Sequence, residues 1–408
     1  MKKTLCLFLV FALIFALCAC GNTADTETQP VEPNEEPIVE ETAKELKFGL
    51  ICLHDENSTY DLNFIKAFKD TCEKNGIDYL IKTGVGENSE CYDAAAELAD
   101  NGCNVIFADS FGHEDYMLQA AREFPDVEFC HATGTKAHTE KVANFHNAFA
   151  SIYEGRYLAG VAAGLKLKEL TDVDGREPIV GYVGAYSYAE VISGYNSFFL
   201  GVKSIVPEAT MQVIFTGSWY DETAEKEAAN RLIDANCVVI SAHADSMGMP
   251  NACQTAGVPF VAYNGSFLAP CPDTYIISTR INWGPYVQYL IDCMKDGKAI
   301  DTDWTGTIAT GSVEMCELNE LVATEGTREM LDSIVAEFNA GTKHVFDVST
   351  FTVDGEEVTT YMADVDSDEA YAPDTEVIAD GYFHESEYRS APYFDMNVDG
   401  ITLLNTAF

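Results

Sequence analysis

Positive charge is what this chain of 408 residues has least of: 24 Lys and Arg stand against 66 Asp and Glu, a formal charge of −42. No basic patch is present that would follow a phosphate backbone, so the composition argues against nucleic acid or an anionic membrane surface as partner. Signatures of covalent chemistry are missing as well: there is no Gly-x-Ser-x-Gly elbow, no P-loop lysine motif and no His-Glu-x-x-His pair. The cysteines form no CxxC or CxxxC pairs, and nothing in the spacing of His54, His113, His131 and His243 requires them to converge on a metal. These absences point to a binding protein: no enzyme, no metal and no cofactor are expected. The acidity serves solubility and mutual repulsion.

What is present begins with a leader. Met1-Lys2-Lys3 precedes an apolar run from Leu5 to Leu17, too short to span a bilayer comfortably and ending in small residues. Residues 1–19 read as a signal peptide. The Leu17-Cys18-Ala19-Cys20 ending resembles a bacterial lipobox, which makes Cys20 the expected lipid-bearing first residue and a membrane surface the expected location. The segment 20–46 is rich in Glu, Thr and Pro and has no aromatic residue. It cannot bury enough surface to offset its chain entropy, so a disordered acidic tether is expected.

Of 13 cysteines, Cys6 and Cys18 leave with the signal and Cys20 carries lipid. Cys52, Cys103, Cys130 and Cys237 fall in or beside apolar runs, where a free thiol packs as a small hydrophobe. Mostly reduced thiols are expected.

The stretch Lys47 to Asp70 reads as strand, polar loop and helix, and Ile179 to Lys203 repeats that pattern. Apolar runs alternate with helical spacing through both halves, which predicts an α/β fold of two Rossmann-like lobes with parallel sheets and a cleft between them. Lobe one is expected over 47–165 plus about 275–300. Lobe two is expected over 166–274 plus about 301–345, with three passages forming a hinge. Small residues at Ala159, Gly160, Ala162, Ala163 and Gly164 allow another element to approach closely. Residues 346–408 are an expected extension packed on the lobes, with a hairpin turn at Asp354-Gly355.

Ligands of such sheets bind beyond the carboxyl ends of the strands. The candidates there are aromatic or acceptor-bearing: Tyr60, Phe111, Tyr186 and Trp219 for stacking, and Asp55, Asn57, Asp109, Asp245 and Asn264 for hydrogen bonds. Ser110 supplies a hydroxyl, His243 a ring nitrogen, and Trp283 a further ring. A carboxylate accepts from an exocyclic amine, a ring N–H or vicinal hydroxyls, and a planar, hydrogen-bonding heterocycle suits this set.

Four spaced motifs carry a family likeness: Ala132–Lys136 (ATGTK), Ile152–Gly164 (IYEGRYLAGVAAG), Thr216–Asp234 (TGSWYDETAEKEAANRLID) and Ile281–Tyr286 (INWGPY). From about Lys47 to about Leu318 the chain resembles the basic membrane protein family of ABC-importer substrate-binding lipoproteins, related to the purine nucleoside receptors. The resemblance implies a type I periplasmic-binding-protein fold and a purine base or nucleoside sandwiched by aromatics, with Asp and Asn on its polar edges. It also implies ABC permease and ATPase subunits as partners. The loop His54–Asn63 departs from the paired acidic motif of the nucleoside-binding members, and Arg280 stands near the position of their lysine. The Ser-Trp-Tyr-Asp and Trp-Gly-Pro-Tyr forms resemble a branch associated with a free base such as adenine.

Two other functions compete with transport: a ligand sensor for a signalling partner, and a nucleoside-cleaving enzyme. The thiol reading has its own check. Titration of the unfolded, reductant-free protein is expected to find most core cysteines free, and fewer than about two would overturn it.

Overall fold

The computed structural model describes residues 45–365 and 372–406; the expected signal, Cys20 and nearly all of the acidic tether lie outside the described residues. The apolar run Phe48 to Ile51 forms strand β1 (Lys47–Ile51), its last four residues buried. Ser58 caps helix α1 (Thr59–Asn75), accepting from the Asp61 amide, and Gly76 at φ 66° ends it. The pattern continues through β2 (Asp78–Lys82), α2 (Ser89–Asp100), β3 (Val105–Ala108), α3 (Glu114–Glu123), β4 (Glu128–Ala132), the one-turn α4 (Ala137–Glu140) and β5 (Phe145–Ala150).

A long helix, α5 (Ile152–Asp174), opens the second series. It runs through β6 (Ile179–Gly184), α6 (Ala189–Lys203), β7 (Thr210–Phe215), α7 (Glu222–Asp234), β8 (Val239–His243), α8 (Gly248–Ala256) and β9 (Phe260–Tyr263). Then come β10 (Tyr275–Ile281), α9 (Gly284–Asp296), β11 (Asp303–Gly306), β12 (Val313–Met315) and α10 (Thr327–Asn339). The tail carries four two-residue strands: β13 (Met362–Ala363), β14 (Thr375–Glu376), β15 (Ile378–Ala379) and β16 (Tyr382–Phe383). A final strand, β17 (Ile401–Leu403), ends it.

Six strands form the first sheet in the order β11-β5-β4-β3-β1-β2, every neighbouring pair parallel. Seven form the second, β12-β10-β9-β8-β6-β7-β17, parallel except where β12 meets β10. Alternate residues of β3 feed two apolar clusters, Val105 and Phe107 one and Ile106 and Ala108 the other. The second sheet divides Val239 from Ile240 in the same way. Helices therefore cover both faces of each sheet, the doubly wound α/β arrangement.

The chain passes between the sheets three times, but not where the sequence suggested. It leaves the first sheet at Ala150; Ile152 still packs in the core of lobe one, and α5 from Tyr157 onward joins that of lobe two. Its small residues explain this: a Cβ on Gly160 would lie 1.9 Å from the Phe198 carbonyl oxygen, and one on Gly201 would lie 2.2 Å from that of Tyr157. α5 and α6 thus touch backbone to backbone. β10, expected to return to lobe one, hydrogen-bonds to β9 in the second sheet. The return follows at α9, whose Val287 and Leu290 join the core of lobe one. β11, expected in lobe two, pairs with β5 in the first sheet. An apolar run carries no label for its sheet; the free edge that it meets decides.

Residues beyond 345 pack mainly on lobe two. Phe346 stacks on Phe394 at 4.2 Å, and β17 extends the second sheet beside β7. Asp354 and Gly355 both have positive φ in the turn that bridges Val353 to Glu356. The tail also touches lobe one, where the Ser390 amide donates to Asp303 Oδ2 at 2.7 Å.

Gly160→Val forces α5 from α6 and is expected to cost about 1–3 kcal/mol, as overpacking does. A denaturant midpoint unchanged from wild type would contradict the close contact.

Candidate functional site

Asp61 organises the loop after β1. Its Oδ1 accepts from the His54 amide at 2.7 Å and its Oδ2 from the Ser58 hydroxyl at 2.5 Å. Burial opposes ionisation of Asp61, but bonds from His54 and Ser58 outweigh it and hold the carboxyl below its ordinary range. Asp109, at the end of β3, is the opposite case: burial and then the neighbouring Asp61 push its carboxyl well up. Its Oδ1 takes the Leu53 amide at 3.1 Å, its carbonyl takes the Tyr60 hydroxyl at 2.9 Å, and its Oδ2 is buried without a partner. Cys52, Asp61 and Asp109 bring donor atoms within 4.8 Å of one another. Burial raises the Cys52 thiol and Asp61 is occupied by the loop, so a proton held on Asp109 satisfies this group better than a cation.

From lobe two, β8 delivers His243, its last residue rather than part of a loop as expected. Burial lowers the His243 pKa, and its Nε2 lies 3.4 Å from Glu190 Oε1. Asp245 accepts from Asn264 Nδ2 at 2.8 Å, and burial, followed by Asp61, pushes its carboxyl well up. Beneath them Arg156 is fully buried, bonded to the Ala262 carbonyl, the Tyr182 hydroxyl and the Ser241 hydroxyl. Its guanidinium lies 5.1 Å from the Tyr263 ring centroid, a cation–π contact that seats that ring.

The lobes meet directly. The Thr59 amide donates to the Asp245 carbonyl at 3.3 Å, and Asn63 Nδ2 to the Asn264 carbonyl at 2.8 Å. Phe111 of lobe one stacks on Tyr188 of lobe two at 5.0 Å; Tyr188 in turn stacks on Tyr186 at 5.1 Å. The gap between the lobes, counted together with its opening to solvent, is about 390 Å³. Among the described residues its walls carry Asp61, Glu190 and Asp245 but no lysine or arginine.

Tyr60, Ser110, Phe111, Trp219, His243, Asp245 and Asn264 of the sequence-based candidates line this space. Asp109 lies just beneath it through Tyr60. Tyr186 stands behind, edge-on to Trp219 at 5.1 Å. Three candidates lie elsewhere. Asp55 and Asn57 are exposed and bond to each other, Asn57 Nδ2 donating to Asp55 Oδ1 at 2.8 Å, so they close the loop's outer turn. Trp283 is buried in the core of lobe one, stacked on Phe64 at 4.3 Å; burying so large a ring outweighed its place near a strand end. Leu53, His54, Asp61, Thr133, Glu190 and Tyr263 also line the space and were not chosen. Thr133 stood in the ATGTK motif at a strand end, the same kind of position that singled out the others.

Residues 41–340 match the family model described as ABC transporter substrate-binding protein, PnrA-like. A purine-binding protein of Brucella abortus is 31% identical over 250 residues, which are 61% of this chain and 66% of that protein. A putative ABC transporter glucose-binding protein of Haloferax volcanii is 34% identical over 211 residues, 52% of this chain and 51% of the relative. The chain thus spans just under two-thirds and about half of the lengths of these relatives. Among solved structures, a solute-binding protein from Aeropyrum pernix superposes with a TM-score of 0.64 at 14% identity, over 76% of this chain and 94% of the other. One from Conexibacter woesei gives 0.61 at 18% identity, over 73% and 98%. These likenesses show a shared fold: that of ABC solute-binding proteins.

Two of the three tryptophans separate core from cleft. Trp283→Ala is expected to lose about 3–5 kcal/mol of stability, and Trp219→Ala, part-buried in the cleft wall, clearly less, about 1–2 kcal/mol. Equal losses in denaturant melts would refute the division.

Proposed function

This chain belongs to the Bmp family, the PnrA-like substrate-binding proteins of ABC transporters, and from that premise we propose that it captures a purine base or nucleoside between its lobes for import. One observation carries the ligand assignment: the cleft combines aromatic rings with buried acceptors and has no cation in its walls. A planar heterocycle gains about 1–3 kcal/mol per stacking ring. Trp219 and Phe111 offer such rings. Asp245, Asn264 and Glu190 accept from ring N–H groups and exocyclic amines. A phosphate or carboxylate ligand would face these carboxylates unpaired, so charge disfavours nucleotides.

In this reading the open form takes ligand on one lobe and the other closes over it. Bonds such as Asn63 to the Asn264 carbonyl and the stacking of Phe111 on Tyr188 then hold the closed shape. That shape is what the permease of the importer recognises, with its ATPase behind it. Lipid on Cys20 and the acidic tether keep the receptor at the extracytoplasmic face of the membrane. The site binds and releases its ligand without covalent chemistry. The Haloferax relative is named for glucose, whose hydroxyls also donate to carboxylates, so the sugar belongs in the test.

Titration calorimetry with adenine, adenosine, guanosine, inosine, hypoxanthine, glucose and AMP is expected to give heat with a base or nucleoside. AMP is expected to bind at least about 100-fold more weakly than adenosine, like charge costing several kcal/mol. No heat and no thermal shift with any purine would end the assignment. The raised Asp245 carboxyl adds a pH signature. Ligand N–H groups favour its ionised form, so binding releases a proton and affinity rises with pH through its folded pKa. Stability without ligand runs the other way: a raised folded pKa contributes stability below the unfolded value that is lost as pH rises. Calorimetry in two buffers of different ionisation enthalpy reads the released proton, and proton uptake would contradict this role for Asp245.

A further inference from the structure

We infer that Thr133 is a ligand-contacting, specificity-determining residue, the first lobe's counterpart of Asn264, and that the pair selects a heterocycle with N–H donors on two edges. The inference rests on reading the cleft as the binding site and deepens the purine assignment. It begins with the internal symmetry of the sheets. Gly49 pairs with Ile106 and Ile106 with Phe129 in the first; Gly181 pairs with Ile240 and Ile240 with Phe260 in the second. Phe129 and Phe260 are therefore equivalent. Counting the same distance along each strand reaches Thr133 and Asn264, one residue past β4 and one past β9.

Both residues line the cleft, and both have left-handed backbones, φ 62° at Thr133 and 65° at Asn264. Asparagine adopts that region readily, whereas a β-branched residue is strained there. Such strain persists only where its surroundings over-determine it. Here they do. Glu114 Oε1 accepts from the amides of Thr135 at 2.6 Å and Lys136 at 2.7 Å, and Asn147 Oδ1 accepts from that of Ala137 at 2.8 Å. Gly134 presses so close that a Cβ would lie 2.0 Å from Asn147 Nδ2. The clamped residues Thr135, Lys136 and Ala137 do not line the cleft, whereas Thr133, with its strained backbone, does.

The two side chains also present the same chemistry. The Thr133 hydroxyl donates to the Ala132 carbonyl at 2.5 Å, so its oxygen meets the cleft with lone pairs only. Asn264 donates Nδ2 to Asp245, and its Oδ1 is buried without a partner. One neutral acceptor thus enters the cleft from each lobe. A free aminopurine, with a ring N–H on one edge and an amine on another, meets both. A 9-substituted base has lost one donor.

Calorimetry on the full chain with adenine, 9-methyladenine and unsubstituted purine tests this. Thr133→Val is expected to weaken adenine at least tenfold and to flatten the preference over one of the two analogues, while Thr133→Ser stays within threefold of wild type. A Thr133→Val protein that binds adenine within twofold of wild type, with both preferences intact, overturns the inference. Should wild type bind glucose and not adenine, the purine assignment fails, and the Val-to-Ser ratio on glucose still decides whether Thr133 touches the ligand. A readout without ligand guards against misfolding. Thr133→Gly is expected to melt no lower than wild type despite losing a buried side chain. A melting point lower by several degrees with adenine affinity retained assigns Thr133 to structure alone and overturns the inference.

Discussion

Buried acceptors facing one another without a cation are the constraint on which the rest depends. Asp61, Glu190 and Asp245 converge from two lobes on one enclosed space. Burial makes each charge costly unless donors meet it, and this chain meets them unequally. Asp61 is satisfied locally by His54 and Ser58, so it stays ionised and fixes the loop. Asp109 and Asp245 are driven toward their protonated forms. A ligand that brings N–H groups completes what the protein leaves open. In the proposed function, closing the lobes would remove water from those acceptors and strengthen each bond made there.

The remaining architecture serves that arrangement. Parallel sheets aim the carboxyl ends of their strands at a common gap, which collects polar side chains that neither apolar core would accept. Arg156 is buried with hydroxyls and a carbonyl instead of a carboxylate, and it supports Tyr263 from below. The backbone contact of α5 with α6 packs the first two helices of lobe two tightly together. The extension ties its own segment to both lobes, through β17 on one and Ser390 to Asp303 on the other. At the gap, the Phe111 ring of lobe one stacks on the Tyr188 ring of lobe two.

Legibility in the sequence followed burial and period. Strands such as Phe48 to Ile51 and helices such as α7 are written in their own residues, because alternation and capping act over a few positions. Cleft residues at strand ends were legible as a class: Tyr60, Trp219, Asp245 and Asn264 all stood out as polar or aromatic side chains where a strand stops. Trp283 obeyed the same rule and still went to the core, where the rings of Phe64, Phe107 and Tyr286 pack against it. Asp55 and Asn57 show the converse: loop residues rich in acceptors that satisfied each other.

The sequence by itself determined the alternation of strands and helices, the acidic character and absence of basic patches, and the family through its spaced motifs. Tertiary structure alone decided which sheet β10 and β11 join, which aromatic side chains face the gap, and which acceptors are left unpaired within it. The physical reason is range. Periodicity and capping are set by neighbours in the chain, whereas a sheet edge, a ring's pocket and the pairing of Asn264 with Asp245 are fixed by residues far away in sequence. Thr133 joins both halves of that division: an ordinary residue in a motif, given its φ of 62° and its place in the cleft only by the loop clamped behind it.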